Sequence, residues 1–262
     1  MSTDSRHNAG MMAPHAFVFI KTDDQVALGR AILRINAARR QRLAYASLLL
    51  TAPRRKWIAL LLGRSGTVDH LLMRNLSGQL STIAFELQLD EMGFLYRLHR
   101  VGRTVSAFES NLQFYANRRL QMLESSRDVN ALDLAEPIDR FVLRRFQERQ
   151  HPRAPITTRE IPRDVWSYYL GDPAKLRVVL RADVDEQYIA SLLAPGFNPE
   201  AAFEQLVSVL DLPYLPSDDV LVSTGQGRER RVDGYALTRP ETWQDALPAG
   251  WRRMPSIPPP RS

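Results

Sequence analysis

Between Trp57 and Phe114 the hydrophobic period changes in a set order, from a continuous apolar run to helical spacing to strict alternation. That order narrows the folds open to this chain more than any other part of it. Trp57 to Leu62 reads as one buried strand. Val68, Leu71, Leu72, Leu76 and Leu80 then recur at helical spacing and place one apolar stripe on one helix face. Next, Ile83, Phe85, Leu87 and Leu89 alternate with Thr82, Ala84, Glu86 and Gln88. Met92, Phe94, Tyr96 and Leu98 repeat the alternation against Glu91, Gly93, Leu95, Arg97 and His99. A period of two with one apolar face predicts an antiparallel sheet with one side buried and one side in water. The helix is expected to cover the apolar side, giving two layers around one core. Reversals are predicted at Asp90-Glu91 and at Val101-Gly102. Because valine disfavours positive φ, the second is expected to be a longer loop with Gly102 in the left-handed region.

The flanking sequence extends this to an α+β chain: an antiparallel sheet with covering helices in the N-terminal half, and a mostly α-helical C-terminal half. Residues 1–14 lack any period and read as a disordered tail. Ala16 to Lys21 is a strand. Thr22 with Gln25 has the form of a capping box for a helix buried through Leu28, Ile32 and Ile35. Tyr45 to Thr51 is a further strand. Residues 15–125 form the predicted sheet domain; the stretch 116–130 has no clear period and is expected to be a helical or irregular connector. Residues 130–215 form the predicted helical domain. Its helix starts are marked by Pro137, Pro162, Asp172-Pro173, Asp183 with Glu186, and Asn198-Pro199. Residues 216–262 are an irregular segment with short strands at Val220–Ser223 and Tyr235–Thr238, closing in a proline-rich tail.

Landmarks in the central stretch also match a known pattern: Trp57, Leu76-Ser77, Asp90, Tyr96-Arg97-Leu98, Gly102, Phe108-Glu109-Ser110 and Phe114-Tyr115. A weaker echo follows in Gly171-Asp172-Pro173, Leu176, Leu180 and Leu206 to Pro213. In these the chain resembles an uncharacterised bacterial protein family. The resemblance implies the same architecture and brings no activity with it.

Composition excludes several chemistries. There is no cysteine, so neither disulfides nor thiolate metal sites exist, which fits a cytoplasmic protein. The longest apolar run is too short to span a bilayer, so no membrane association is expected. The formal net charge is +6, carried almost wholly by arginine, which brings nucleic acid or acidic partners into view. Arginine codon bias in a GC-rich genome would produce the same preference over lysine.

Three constellations offer chemistry. Gly63-Arg64-Ser65-Gly66-Thr67 lies between a strand and a helix, where free backbone N–H groups attract anions. It lacks the lysine and loop length of a P-loop. It also lacks the last glycine of a nucleophile elbow, so Ser65 would be a hydrolase nucleophile only in an incomplete motif. Glu86, Arg97 and His99 are expected to meet on the polar side of the sheet as a solvated cluster. The five histidines, His7, His15, His70, His99 and His151, show no metal-ligand spacing. Gly225-Gln226-Gly227 lacks the third glycine of a dinucleotide fingerprint. Every constellation thus misses a part that its chemistry requires. The sequence is read as a non-catalytic cytosolic interaction or binding protein, with no cofactor and no metal. Arg64, Ser65, Thr67, Glu86, Arg97 and His99 are its candidate contact residues. Another protein is the expected partner, with nucleic acid bound by the arginine-rich surface as the alternative.

Overall fold

A computed structural model describes residues 15–38, 48–62, 70–90, 93–127, 129, 132–148, 154–213, 220–223, 229–232 and 250–254. Seven strands form one antiparallel sheet: β1 (His15–Lys21), β2 (Leu48–Leu50), β3 (Trp57–Leu62), β4 (Ile83–Asp90), β5 (Gly93–Arg100), β6 (Arg103–Glu109) and β9 (Arg252–Arg253), in the order β6-β5-β4-β1-β3-β2-β9. A separate hairpin pairs β7 (Val220–Ser223) with β8 (Glu229–Val232). The helices are α1 (Gln25–Ala38), α2 (His70–Gln79), α3 (Leu112–Ser126), α4 (Pro137–Glu148), α5 (Arg163–Tyr168), α6 (Pro173–Leu176), α7 (Glu186–Leu192) and α8 (Pro199–Val209).

Strand directions explain where the first two helices lie. β1 and β2 each pair antiparallel with β3, so they run parallel to each other, and α1 crosses between them. β3 and β4 each pair antiparallel with β1, so α2 makes a second crossover, in the opposite direction along the sheet. Strand crossovers share one hand because the right-handed strand twist favours it. A half-turn about the sheet normal interchanges these two, so the same hand puts both helices on the same face. Leu28, Ile32 and Ile35 of α1 and Leu72, Met73 and Leu76 of α2 pack there on Val18, Ile20, Ile58, Leu60 and Ala84.

Ala84 belongs to the Glu86 side of β4, so α2 covers the face opposite to the one expected. The apolar face of Phe85, Leu87, Leu89, Phe94, Tyr96 and Leu98 is covered instead by α6, α7 and α8. Phe203, Leu206 and Val207 of α8 share one core with Phe17, Phe19, Phe94 and Leu192. Past β1, the face of α1 and α2 is completed by α3, α4 and α5, which bury Ala107 with Leu112, Leu120, Ile138, Val142 and Val165. Helices therefore lie on both sides of the sheet, in three layers where two were expected, and neither side of β5 is left to water.

Several local signals act as read. The register sets Phe85 opposite Leu98, Leu87 opposite Tyr96 and Leu89 opposite Phe94. Asp172 and Asn198 cap α6 and α8 ahead of their prolines, accepting from the Lys175 and Ala201 N–H groups. Others shift by a residue or two. Asp24, in place of Thr22, accepts from the Ala27 N–H at the start of α1 (2.8 Å), and Thr22 accepts from the Asp24 N–H. Asp185, two residues beyond the expected cap, accepts from the Gln187 N–H at α7. Of residues 116–130, read as a helical or irregular connector, 116–126 belong to α3, which is buried through Leu112, Ala116, Leu120 and Leu123. Val101-Gly102 is a tight two-residue turn with φ of 47° and 78°, closing on the Arg100–Arg103 pair. The turn is held by Val101 N–H to Thr82 O (3.0 Å) and Gly102 N–H to Ser77 Oγ (3.0 Å). Tyr235–Thr238 lies outside the described residues.

Both sheet edges are occupied. Along β6, Gly171 N–H donates to Ala107 O (2.8 Å) and Glu109 N–H to Tyr169 O (3.2 Å). At the other edge, part of the segment read as a tail returns as β9: Arg253 pairs with Leu49 and Arg252 with Leu50. Trp251 is buried beside them, and Gln25 Nε2 donates to both Thr51 O (2.6 Å) and Gly250 O (2.7 Å).

Candidate functional site

Glu86, Arg97 and His99 do meet, as cross-strand pairing of β4 and β5 requires, since Glu86 lies opposite Arg97 and Ala84 opposite His99. They are not solvated. Each has 0% relative exposure, and Arg97 is the largest fully buried side chain among the described residues. The expected contact face of Arg97 and His99 is therefore corrected: the helical layer of α3, α4 and α5 closes over it. Burying three ionisable side chains is costly unless each is paired and hydrogen-bonded. The sequence just before α4 supplies what is needed.

Three acids, Asp133, Glu136 and Asp139, stand three residues apart at the start of α4. Each meets an arginine from a different element. Arg74 Nη1 of α2 lies 2.8 Å from Asp133 Oδ2, and Arg97 Nε of β5 lies 3.5 Å from Glu136 Oε2. Arg119 of α3 grips Asp139 through two parallel hydrogen bonds, one of them Nε to Oδ1 at 2.8 Å. This fork geometry is specific to guanidinium and carboxylate. Asp139 also accepts from the Asp133 N–H (2.7 Å). The acid triplet thus ties a helix, a strand and a second helix to the N-terminus of α4, an end that itself favours negative charge.

Glu136 is the busiest of the three. Its Oε2 accepts from the Tyr169 hydroxyl (2.7 Å), and its Oε1 from the hydroxyls of Thr104 (3.1 Å) and Tyr168 (3.5 Å). Thr104 has one proton and gives it to Glu136, so it accepts from His99 Nδ1–H (3.2 Å). His99 Nε2 on the other side of the ring faces Glu86 Oε1 at 3.3 Å. A continuous chain runs Glu86, His99, Thr104, Glu136, Arg97. Over Arg97 lie the rings of Tyr115 (5.3 Å) and Tyr169 (5.7 Å). Burial alone works against the Arg97 charge. Tyr115, Glu136, Tyr169 and Glu86 around it outweigh burial and hold the guanidinium protonated well above its usual range. Burial, with Glu136 alongside, likewise raises the Tyr169 phenol well above its ordinary value.

On the other face of the sheet a smaller polar knot locks the segment after α5. Asp172 N–H donates to Tyr96 Oη (3.1 Å) and Ser106 Oγ (3.0 Å), which are 3.1 Å from each other. Burial pushes the Tyr96 phenol up to about 12, against the lowering effect of these hydrogen bonds. Gly171 has φ of 78°, and a methyl group there would stand 2.5 Å from Tyr96 Oη.

Arg64, Ser65 and Thr67 lie outside the described residues, as do His7 and His151. No group of three or more His, Cys, Asp or Glu among the described residues is arranged to hold a metal ion. Glu136, Thr104, Tyr169 and Asp139 escaped the sequence reading. One signal was present: Asp139 stands between Ile138 and Val142, the buried positions of α4, so an acid there faces the interior. The chain matches no protein-family model, no curated protein and no solved structure. No helix among the described residues is long and apolar enough to cross a membrane.

Proposed function

We propose that this chain is a non-catalytic binding protein, acting in the cytoplasm through its outer surface, with its ionisable cluster serving to hold the layers in register. One observation carries the reading: Glu86, Arg97, His99 and Glu136 are sealed between sheet and helices, and they hydrogen-bond to one another and to Thr104, Tyr168 and Tyr169. A general acid or base must come within hydrogen-bond reach of a substrate proton. These groups reach one another instead. The lack of cysteine supports the cytoplasmic location.

Two readouts test this. Glu136→Gln keeps the shape of the side chain but leaves Arg97 without its carboxylate, and it should lower unfolding stability by about 3 kcal/mol in urea melts. The purified protein, incubated with a metabolite extract and followed by mass spectrometry, should consume nothing. A conversion that disappears in His99→Gln while the fold persists would overturn the reading.

A further inference from the structure

Two stretches of the sequence contain no aspartate or glutamate at all. Residues 25–68 hold nine basic residues and residues 246–262 hold three more. Twelve of the 35 basic residues are therefore in acid-free sequence, leaving 23 basic against 29 acidic residues elsewhere. A genome rich in arginine codons replaces lysine with arginine, but it does not remove carboxylates. The acid-free stretches are some 180 residues apart along the chain, and the fold joins them. β2, from the first, pairs with β9, from the second. A Cβ on Gly29 of α1 would lie 3.4 Å from Met254 Sδ, and Gln25 donates to Gly250 O. Exposed on this joint edge are Arg30 and Arg34 of α1 and, from β9, Arg252 on the α1 face opposite Leu50 and Arg253 on the other face opposite Leu49. The positive region is bounded at the N-terminus of α1 by Asp23 and Asp24.

Across the sheet, the stretch that carries α7 and α8 has the opposite character, and the exposed Arg177 and Arg181 just before it lie 3.8 Å from Glu186 and 3.6 Å from Asp183. Residues 182–227 hold eight acidic residues and no lysine or arginine. Asp183, Asp185, Glu186, Glu200 and Glu204 are exposed there, around α7 and α8. Because α1 packs on one sheet face and α7 and α8 on the other, the acid-free helix and the acid-rich pair of helices lie on opposite faces of the sheet.

We propose that the α1–β9 edge binds the sugar-phosphate backbone of a nucleic acid, a step that rests on the non-catalytic binding role argued above and names its partner. The charge pattern favours phosphate over an acidic protein. Protein interfaces deplete charge at their centre and gather apolar side chains there. Along α1 only Val26 and Leu33 are half-exposed among arginines, too little for such a centre. Nucleic-acid interfaces are more polar and far more positive. Arginine, the cation at all four positions, grips phosphate oxygens through two parallel hydrogen bonds. The acid-rich surface of α7 and α8 lies on the opposite face and disfavours the polyanion there.

The test is fluorescence anisotropy of the full chain with two labelled probes of mixed sequence, a short DNA duplex and a single-stranded RNA, at about 50 mM and about 200 mM salt. Binding is expected to at least one probe and to weaken steeply with salt. Arg30→Ala with Arg34→Ala should lower affinity about tenfold or more at the lower salt and reduce the log–log salt slope by about 2. Alanine at exposed helix positions keeps the fold. Arg252→Ala should act in the same direction, while the exposed pair Arg159→Ala with Arg163→Ala should leave both quantities unchanged. Four results would overturn the proposal: no binding at the lower salt, an equal loss in the Arg159/Arg163 pair, equally tight binding of a poly-glutamate chain of similar length, or self-association in sedimentation that the Arg30/Arg34 changes abolish without any binding of either probe. The last would assign the edge to the acidic layer of a second copy. None of these bears on the non-catalytic reading, which substrate turnover decides.

Discussion

Val101 adopts a φ of 47° in a turn that suits asparagine or glycine, and its side chain is 54% exposed. A β-branched residue in the left-handed region costs about 1–2 kcal/mol. The turn tolerates it because both of its N–H groups are held, one by Ser77 of α2 and the other by Thr82, just before β4. Val101→Asn should therefore stabilise the protein by about 1 kcal/mol, read as a higher urea midpoint at unchanged m-value. An unchanged or lower midpoint would show that the valine side chain contributes packing at the turn. The same position shows where residue-level reading stops. Valine's preference argued for a longer loop, but hydrogen bonds to Ser77 of α2 and to Thr82 beyond it decided for the tight turn. Arg97 teaches a similar lesson. Alternation along β5 showed correctly that Arg97 and Phe94 point to opposite faces, and it is silent on what covers each face. Asp133, Glu136 and Asp139 arrive from the next helical layer, and only their arrival makes burial of that arginine tolerable.

At the level of elements, the strands with one repeating period were legible, and the pieces held by partners were not. β4 and β5 follow from their alternation, and α6 and α8 from their caps and prolines. β9 is two residues long and has no period of its own. Its place depends on Leu49 and Leu50 offering an edge, on Trp251 filling a core position, and on Gln25 bonding the Gly250 carbonyl. Trp251→Ala should cost about 3 kcal/mol and speed proteolysis within 48–62, because the edge of β2 loses its cover. If the melting temperature and cleavage pattern stay as in the parent chain, β9 contributes nothing to the sheet. Helix α3 was legible only as a helical or irregular connector, because Tyr115, Arg119 and Asn117 interrupt its apolar stripe. In the folded chain Arg119 meets Asp139, and the Asn117 amide exchanges two hydrogen bonds with the Ile156 backbone (2.7 and 2.9 Å).

For the whole molecule, the buried phenols predict a steep alkaline limit. Tyr96 is pushed up to about 12 by burial, and Tyr169 is raised by burial and by Glu136. Both are raised above the unfolded value near 10, so the folded state keeps protons that the unfolded state has lost. Their contribution is complete below about pH 10 and falls as pH rises towards about 12. Each tyrosine removes about 1.4 kcal/mol per pH unit across that window. Tyrosinate absorbance of these two residues should accordingly appear together with loss of helical circular dichroism. Ionisation of Tyr96 and Tyr169 well before unfolding would mean that water reaches them in the native state. The strand order has a further consequence, for synthesis. β2 is translated near residue 50 and its outer partner near residue 252, so the ribosome must add about 200 residues between them. At common elongation rates that takes roughly 10–40 s. For that time the nascent chain carries an unpaired strand edge of three leucines, open to another nascent chain of its kind, and slower translation or a delayed C-terminus should send more of the product into inclusion bodies.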